Sequence, residues 1–317
     1  MKRLAPGQWS PASASKKGFQ TCVPSRLELE MTDLEALVVA AYVFADEYPV
    51  PVRGGRRPLI CDAELVALAV AQAAIGISSD RQFLGLIGRV LPGWFPHLPD
   101  QSQYNRRLRA LVGLISIVQQ QLARLLDAGG LRLSDGTLIT VANYPGCQRR
   151  SEFAGFARFG FAKSQHRFIY GVRLVLLTDE RGLPLGYTIV PANEKEYEPL
   201  ADLLTGTPAA VVIADKGFWR RDYAARLAAD GTALLTPQKT RTAANLGRER
   251  ALASTRLVIE SVFANLKGQM RLEQHHAKTP AGLAVRIAQR ILALTLGILL
   301  NSLNGRPARA LAAYDGR

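Results

Sequence analysis

Apolar residues recur at helical spacing through the first part of the chain. From Met31, the stretch MTDLEALVVAAYVFADEY keeps this period, and Thr32 or Asp33 is suited to cap a helix there. A run rich in proline, glycine and arginine, Pro49 to Leu59, predicts a linker after this helix. Further helices are predicted over Asp62 to Gly76, Ser79 to Val90 and Ser102 to roughly Asp127. The pattern therefore indicates an all-helical segment.

Beyond Asp127 the period changes to that of strands. LRLSDGTLITVA (Leu131 to Ala142) is β-rich, and RFIYGVRLVLLTD and LPLGYTIVPA flank the turn DERG as in a hairpin. Two more strands are predicted in AAVVIAD (Ala209 to Asp215) and ALLTP. The predicted helices lie near Glu196 to Leu204, near Arg221 to Ala229, and over STRLVIESVFANLKGQM (254–270). Three antiparallel strands followed by alternating helices and strands indicate an α/β fold with an RNase H-like mixed sheet flanked by helices.

These patterns predict four segments. Residues 1–30 are rich in serine, proline, alanine and basic residues without a period, so we predict a disordered N-terminal extension, with Met31 as a possible natural start. A small helical DNA-binding domain is predicted over 31–127 and an RNase H-like catalytic domain over 128–305. Residues 306–317 form a C-terminal tail. Residues 1–30 lack the apolar core of a secretory signal.

The net charge of the chain indicates what kind of partner it binds. The sequence has 40 lysines and arginines against 26 acidic residues, a formal net charge of +14. Such an excess attracts polyanions, most plausibly nucleic acid. No cationic amphipathic anchor for a membrane is visible. The charge therefore predicts a nucleic acid, rather than a membrane, as the partner.

Cysteine and histidine usage argues against a zinc or disulfide framework. The three cysteines are widely spaced and odd in number, which suits a reducing cytoplasm. His275 and His276 are adjacent, so on a helix they diverge by about 100° and cannot share a metal; we predict a surface pair. The apolar run Ile291 to Leu300 is shorter than the roughly 20 residues that span a bilayer, which predicts a buried C-terminal helix.

Three carboxylates stand in positions that are costly for an unpaired charge. Asp135 interrupts an apolar strand, and Asp215 ends the buried run VVIA. Glu260 shares one helical stripe with Arg256 and Lys267, at the edge of the apolar face. If the three converge, their hard oxygen ligands suit Mg²⁺ or Mn²⁺, and two such ions about 3.5 to 4 Å apart can catalyse phosphodiester displacement.

Each carboxylate also has an ordinary interpretation. Asp135 can form a turn with Gly136, and Asp215 can cap the helix that follows it. Glu260 can form a simple i,i+4 pair with Arg256, which contributes a few tenths of a kcal/mol. The sequence alone leaves both interpretations open for each residue.

Basic residues supply candidate DNA contacts. Several short helices, with arginines at the start of the one near Ser102, suit a helix-turn-helix-like module, although a solvated helix face is equally compatible. The arginines concerned are Arg106, Arg107 and Arg109. Between the first two strands, Cys147 to Phe168 mixes Arg149 and Arg150 with phenylalanines, which suits either base stacking or a basic loop anchored in the core. Trp219, four residues past Asp215, could stack on a displaced base near the cut, although core packing is the favoured interpretation.

Four motifs together resemble the DDE transposases of bacterial insertion sequences. They are LSDGTLITVAN, FIYGVRLVLLTDERGLPLGYTIVPAN, VVIADKGF and Arg256-x3-Glu260-x6-Lys267. The resemblance spans roughly Met31 to Asn304. It departs from the family pattern at Ala253, where a tyrosine is expected, and at Arg173 and Val175, where lysine and often histidine are expected.

The resemblance implies a catalytic, metal-binding triad of Asp135, Asp215 and Glu260, served by two Mg²⁺ or Mn²⁺ ions. It implies that Arg256 and Lys267 contact transposon-end DNA, and Lys216, beside the second aspartate, is a further predicted DNA contact. The implied activity is cleavage of phosphodiesters at transposon ends and transfer of the 3′-hydroxyl into target DNA by at least a dimer. Two rival hypotheses are a non-catalytic DNA-binding repressor and an RNase H-like nuclease without strand transfer.

Overall fold

The structure is a computed structural model, and it describes residues 31–48, 58–127, 129–162, 166–206, 209–238 and 246–316. The predicted extension over 1–30 and most of the predicted linker, residues 49–57, lie outside the described residues.

The described chain begins with five helices. They are α1 (Asp33–Asp46), α2 (Asp62–Ile75), α3 (Asp80–Val90), α4 (Gln101–Ala110) and α5 (Val112–Leu126). The Thr32 hydroxyl accepts a hydrogen bond from the Glu35 N–H, and the Glu35 carboxylate accepts one from the Thr32 N–H. This reciprocal cap satisfies two N–H groups that the helix leaves unpaired, and it confirms the predicted start at Thr32.

One predicted helix is in fact two. The stretch from Ser102 to Asp127 was expected to be continuous, but α4 and α5 are separated at Leu111 (φ −95°, ψ 4°). The Leu111 N–H bonds to the carbonyls of both Arg107 and Leu108, a tightened turn rather than a regular one. Leu111 is almost completely buried. We attribute the break to this packing, since no proline marks it in the sequence.

A six-stranded mixed sheet follows the helices. Its strands are β1 (Leu131–Ala142), β2 (Arg158–Ala162), β3 (Arg167–Thr178), β4 (Pro184–Pro191), β5 (Val211–Ala214) and β6 (Ala233–Leu235). The order is β2-β3-β1-β5-β6, and β4 pairs with β3. β3 is antiparallel to β1, β2 and β4, whereas β5 is parallel to β1 and β6. The predicted α/β fold with a mixed sheet is confirmed.

Strand β2 was not predicted. Its segment was interpreted as part of a basic loop, yet it pairs with the first residues of β3. Phe159 and Phe161 lie on the exposed side of this edge strand, and the small residues Gly160 and Ala162 lie on the buried side. This is the reverse of the usual pattern, in which the large apolar residues are buried.

Helices cover both faces of the sheet. They are α7 (Tyr197–Gly206), α8 (Arg221–Ala229), α9 (Leu246–Lys267) and α10 (Pro280–Leu303); a short helix α6 (Cys147–Arg150) lies between β1 and β2. Helices α7 and α8 share one apolar cluster with Val175 and Val212 of the sheet. Helices α9 and α10 pack on the other face, in a core that also includes α1 to α5.

Helix α10 lies at the centre of this larger core. By length and composition it could span a membrane, but 83% of its most apolar 18-residue stretch is buried inside the protein. It packs against α2 and α5 of the N-terminal region and against β4 of the sheet. The predicted buried C-terminal helix is confirmed. The tail after it folds back: Leu311–Tyr314 forms a 3-10 turn against α1, and the Tyr314 hydroxyl donates to Asn301 Oδ1 at 2.8 Å.

A buried polar network ties α10 to the N-terminal helices. Arg286 of α10 donates to both carboxylate oxygens of Asp80, which also accepts a bond from Gln72 at 2.8 Å and one from Asn105. Arg290, one turn further on, donates to the Met270 carbonyl at 2.7 Å, and burial lowers its pKa to about 9. Asp80 thus forms an ion pair with one buried arginine, Arg286, and its negative charge also acts on the second, Arg290.

The prediction of a surface pair at His275 and His276 was wrong for His275. Its ring is buried, and Nδ1 accepts a hydrogen bond from the Ala277 N–H at 3.0 Å. Nε2 therefore carries the proton and donates to the Thr140 carbonyl, also at 3.0 Å. Burial lowers the pKa of His275, so the neutral ring serves as a structural link between β1 and the connection before α10.

Candidate active site

Two neighbouring parallel strands bring the predicted aspartates to the same level of the sheet. The last residue pair between β1 and β5 is Ser134 with Ala214, and Asp135 and Asp215 are the residues that follow. Strand β5 ends there, whereas β1 continues beside β3. The two carboxylates thus lie at the carboxyl end of β5, an edge where α/β sheets commonly bind ligands.

Asp135 is in a strongly negative setting. Burial raises its pKa to about 6, a hydrogen bond from the Gly136 N–H opposes that rise, and the carboxylates of Glu196 and Asp215 add to it. The Arg256 guanidinium acts in the opposite direction. Because the net shift is upward, the positive charge around Asp135 does not fully compensate its desolvation and its acidic neighbours.

Helix α9 brings the third predicted carboxylate to this edge. Ile259 and Val262 are buried against the sheet, which leaves Glu260 at the rim with 51% of its side chain exposed. Arg256 Nη2 lies 3.3 Å from Asp215 Oδ1 and 3.8 Å from Glu260 Oε1. The i,i+4 pair therefore exists, but the same guanidinium is closer to Asp215, so it links the helix to the strand.

The chemistry of these three carboxylates suits a divalent cation. Carboxylate oxygens are the ligands that Mg²⁺ and Mn²⁺ prefer, and a cation at this edge would relieve the negative setting of Asp135. Among the described residues, no three histidine, cysteine or acidic side chains are arranged closely enough to hold a metal. The observed partner of Asp215 and Glu260 is Arg256. Metal binding would thus require these carboxylates to turn away from the guanidinium.

A fourth carboxylate lies at the same edge, and sequence reasoning missed it. Glu196, just before α7, forms an ion pair with Arg173 of β3. A Cβ added to Gly217 would lie 2.1 Å from Glu196 Oε2, and one added to Gly136 would lie 3.5 Å from Oε1. At position 217 only a residue without a side chain leaves this space for the carboxylate, whereas the distance at Gly136 is an ordinary contact. The available signal was Arg173, a charge inside the apolar run GVRLVLL.

Two lysines predicted to contact DNA lie in different settings. Lys216 is exposed in the 3-10 turn Lys216–Phe218 that directly follows Asp215. Lys267, at the end of α9, forms an ion pair with Glu273 at 3.1 Å. Trp219 is 53% exposed at the end of the 3-10 turn, so it is not a core residue.

The arginines predicted to contact DNA are of two kinds, exposed ones and one that is largely buried in an ion pair. Arg106 of α4 is exposed, as are Arg149 and Arg150 of α6. Arg107 is only 11% exposed, and it forms an ion pair with Asp62 at 2.8 Å. The guanidinium of Arg107 thus joins α4 to α2, and the DNA contacts of all these arginines stay predictions.

The basic stretch between β1 and β3 combines both interpretations given above. Phe153 is buried and anchors the segment, and its carbonyl accepts a bond from the Tyr170 hydroxyl at 3.0 Å. Phe159 and Phe161 are about half exposed on β2. Core anchoring therefore describes the first phenylalanine and surface exposure the later two.

The mixed sheet, with Asp135 and Asp215 after the paired ends of β1 and β5 and Glu260 on α9, is an RNase H-like arrangement, as found in nucleases and transposases. The family described as transposase DDE domain matches residues 129–296, which is more than half of the chain and includes Asp135, Asp215 and Glu260. The chain belongs to this family, and the resemblance seen in its motifs is confirmed. Searches of curated proteins and of solved structures gave no match. Members of the family generally use divalent metals.

Proposed function

We propose that this transposase cleaves phosphodiester bonds at transposon ends and transfers the freed 3′-hydroxyl into target DNA, with Asp135, Asp215 and Glu260 as the catalytic, metal-binding residues. The observation that carries the proposal is the meeting of Asp215 and Glu260 at Arg256, next to the partly buried Asp135. Carboxylates from β1, β5 and α9, distant in sequence, reach one edge of the sheet. A structural role for each residue alone does not require this convergence.

The three carboxylates and Arg256 have different proposed roles in the reaction. When bound, two Mg²⁺ or Mn²⁺ ions supply Lewis-acid activation of the attacking and leaving oxygens. Asp135 and Asp215 hold fixed positions because their strands are paired in register, and Glu260 closes the site from the rim of α9. Once the carboxylates turn from Arg256, its guanidinium is available to bind a phosphate oxygen of the DNA.

The proposed partner is double-stranded DNA, both the terminal inverted repeats of the element and the target. The net charge of +14 favours a polyanion. Arg256, Lys267 and Lys216 are proposed to contact the DNA near the cut; Arg106, Arg107, Arg149 and Arg150 are proposed as contacts further away. Joining two ends requires two active sites, so we propose a homodimer on DNA, acting in the cytoplasm.

The test uses the full chain, labelled duplexes of the sequences that flank the gene, and a target plasmid. With Mg²⁺ or Mn²⁺ we expect cleaved ends and ends joined to the plasmid, and with a chelator neither product. Cleavage without joined product would identify a nuclease. Salt-dependent binding with no cleavage in any metal would identify a DNA-binding repressor, and either result would contradict the proposal.

A further inference from the structure

A pocket with a volume of about 470 Å³ lies where the N-terminal helices meet the connection before α10, and none of the carboxylates of the candidate active site lines it. Its wall includes Ser78, which precedes α3, and Arg109 of α4. His276, Lys278 and Thr279 line it from the other side. The pocket is thus built jointly by the helical region and by the part of the chain that follows α9.

The unpaired charges at this pocket are positive. Arg109 and Lys278 are exposed, and neither forms an ion pair within the part of the chain that the structure describes. The one acidic residue of the wall, Asp80, is already bound by Arg286. Two cationic side chains therefore face the pocket without a counter-charge, which favours an anion.

Hydroxyl groups add a neutral donor. Ser78 Oγ is inaccessible to solvent and has no hydrogen-bond partner among the described residues. A buried hydroxyl without a partner costs free energy, which a suitable ligand would recover. Thr279 Oγ accepts the Gly282 N–H, which leaves its own O–H as a donor. Ser78 and Thr279 are thus both hydroxyl donors of the pocket wall, together with the two cations.

The connection that carries His276 and Lys278 is held in a defined conformation. His276 has φ 51°, a left-handed conformation that non-glycine residues adopt at a cost. His275 fixes the connection through its bond to the Thr140 carbonyl of β1, the strand that carries Asp135. The pocket is therefore prearranged, and it is tied directly to the catalytic strand.

We infer that this pocket binds a backbone phosphate of the DNA, at a point separate from the scissile bond. A phosphodiester would supply a counter-charge for Arg109 and Lys278, and one of its oxygens would accept a hydrogen bond from the Ser78 hydroxyl. The inference rests on the proposed function, since DNA is the anion in question. Its consequence is that DNA contacts both halves of the pocket at once, α4 and the connection before α10.

The test measures binding of a terminal-repeat duplex by fluorescence anisotropy, with a chelator present and over a range of salt concentrations. The variant is Arg109→Ala with Lys278→Ala, and the matched control is Arg124→Ala, an exposed arginine of α5 outside this wall. The double variant should bind more weakly, and the slope of log K against log salt should shrink by about 0.9 for the lost phosphate contact. Ser78→Ala should weaken binding without changing that slope.

A slope equal to that of the control would overturn the inference. If the wild type cleaves ends while the slope is unchanged, the pocket assignment alone fails; if the wild type binds no duplex in a salt-dependent way, the proposed function fails with it. A second arm uses inorganic phosphate. Thermal stabilisation of the wild type by phosphate, together with normal DNA binding by the double variant, would identify a site for free anions and overturn the DNA assignment.

Different contacts carry a second inference, about Glu196. We propose that Glu196 is a fourth carboxylate of the metal site, held in place by Arg173, and this also rests on the proposed function. Its Oε2 occupies the space that glycine leaves at position 217, two residues after Asp215. Its Oε1 lies near Gly136, the residue after Asp135, where an added Cβ would be 3.5 Å from it. Arg173 orients the carboxylate from β3.

The test titrates the full chain with Mn²⁺ in a calorimeter. Glu196→Gln keeps the shape of the side chain and removes its charge, and Glu198→Gln, an exposed glutamate two residues later, is the matched control. We expect Glu196→Gln to lower Mn²⁺ affinity by at least about 10-fold, because losing even an outer partner of a metal site costs about 10- to 100-fold. Glu196→Asp should recover part of the affinity, which a loss of folding would not explain.

Equal Mn²⁺ affinity of Glu196→Gln and the control would overturn this role. A wild type that binds no Mn²⁺ would instead contradict the metal-dependent function itself, so the two failures are distinguishable.

Discussion

Asp135→Asn is expected to lower the rate of end cleavage by more than about 100-fold, because it removes a proposed direct ligand of the metal, whereas losing only an outer partner of a metal site usually costs about 10- to 100-fold. Asp215→Asn and Glu260→Gln should have the same effect. The assay is the metal-dependent cleavage of labelled ends by the full chain. Asp230→Asn, an exposed aspartate that follows α8, serves as the control and should cleave normally.

The same three variants should bind DNA ends at least as tightly as the wild type. Each replaces a carboxylate with a neutral amide, which removes repulsion between the protein and the phosphates. Binding measured in a chelator therefore separates loss of chemistry from loss of folding. Cleavage at the wild-type rate by any one variant would exclude that residue from the catalytic set.

Asp80→Ala is expected to lower the free energy of unfolding by about 3–5 kcal/mol, the cost of breaking a buried ion pair. Asp80 is 6% exposed, and its removal leaves Arg286 and Arg290 buried without a carboxylate. The measurement is urea unfolding followed by circular dichroism, if the transition is two-state.

Two further variants define the cause of that loss. Asp222→Ala breaks an exposed pair with Arg220 and should leave the free energy of unfolding almost unchanged, because water solvates both partners. Asp80→Ala combined with Arg286→Met should be more stable than Asp80→Ala alone, because it removes one unpaired charge. A double variant as unstable as the single one would show that lost packing, rather than charge, is the cause.

Much of the fold follows from local patterns. The hairpin of β3 and β4, the buried strand before Asp215 and helix α8 lie where period and turn residues predict them. Asp135 and Asp215 could be chosen as candidate site residues because each places a charge within or at the end of an apolar strand. Such positions are costly enough to indicate function in a single sequence.

The remaining features depend on contacts between distant residues. Nothing in the local sequence separates Arg107, which pairs with Asp62, from the exposed Arg106. Glu196 follows an ordinary polar run, and its place beside Gly217 arises only when α7 packs on the sheet. The break at Leu111 likewise results from burial. Each of these depends on tertiary packing, which periodicity does not record.

Helix α10 joins the N-terminal helices and the sheet in one core, so the two parts cannot swing independently without exposing apolar surface to water. The distance between α4 and the candidate active site is therefore fixed by the protein. A duplex that reaches both must adopt the curvature that this span dictates. Flexible DNA sequences between the two contact points would then be favoured, so the stiffness of the double helix becomes a criterion for selecting ends.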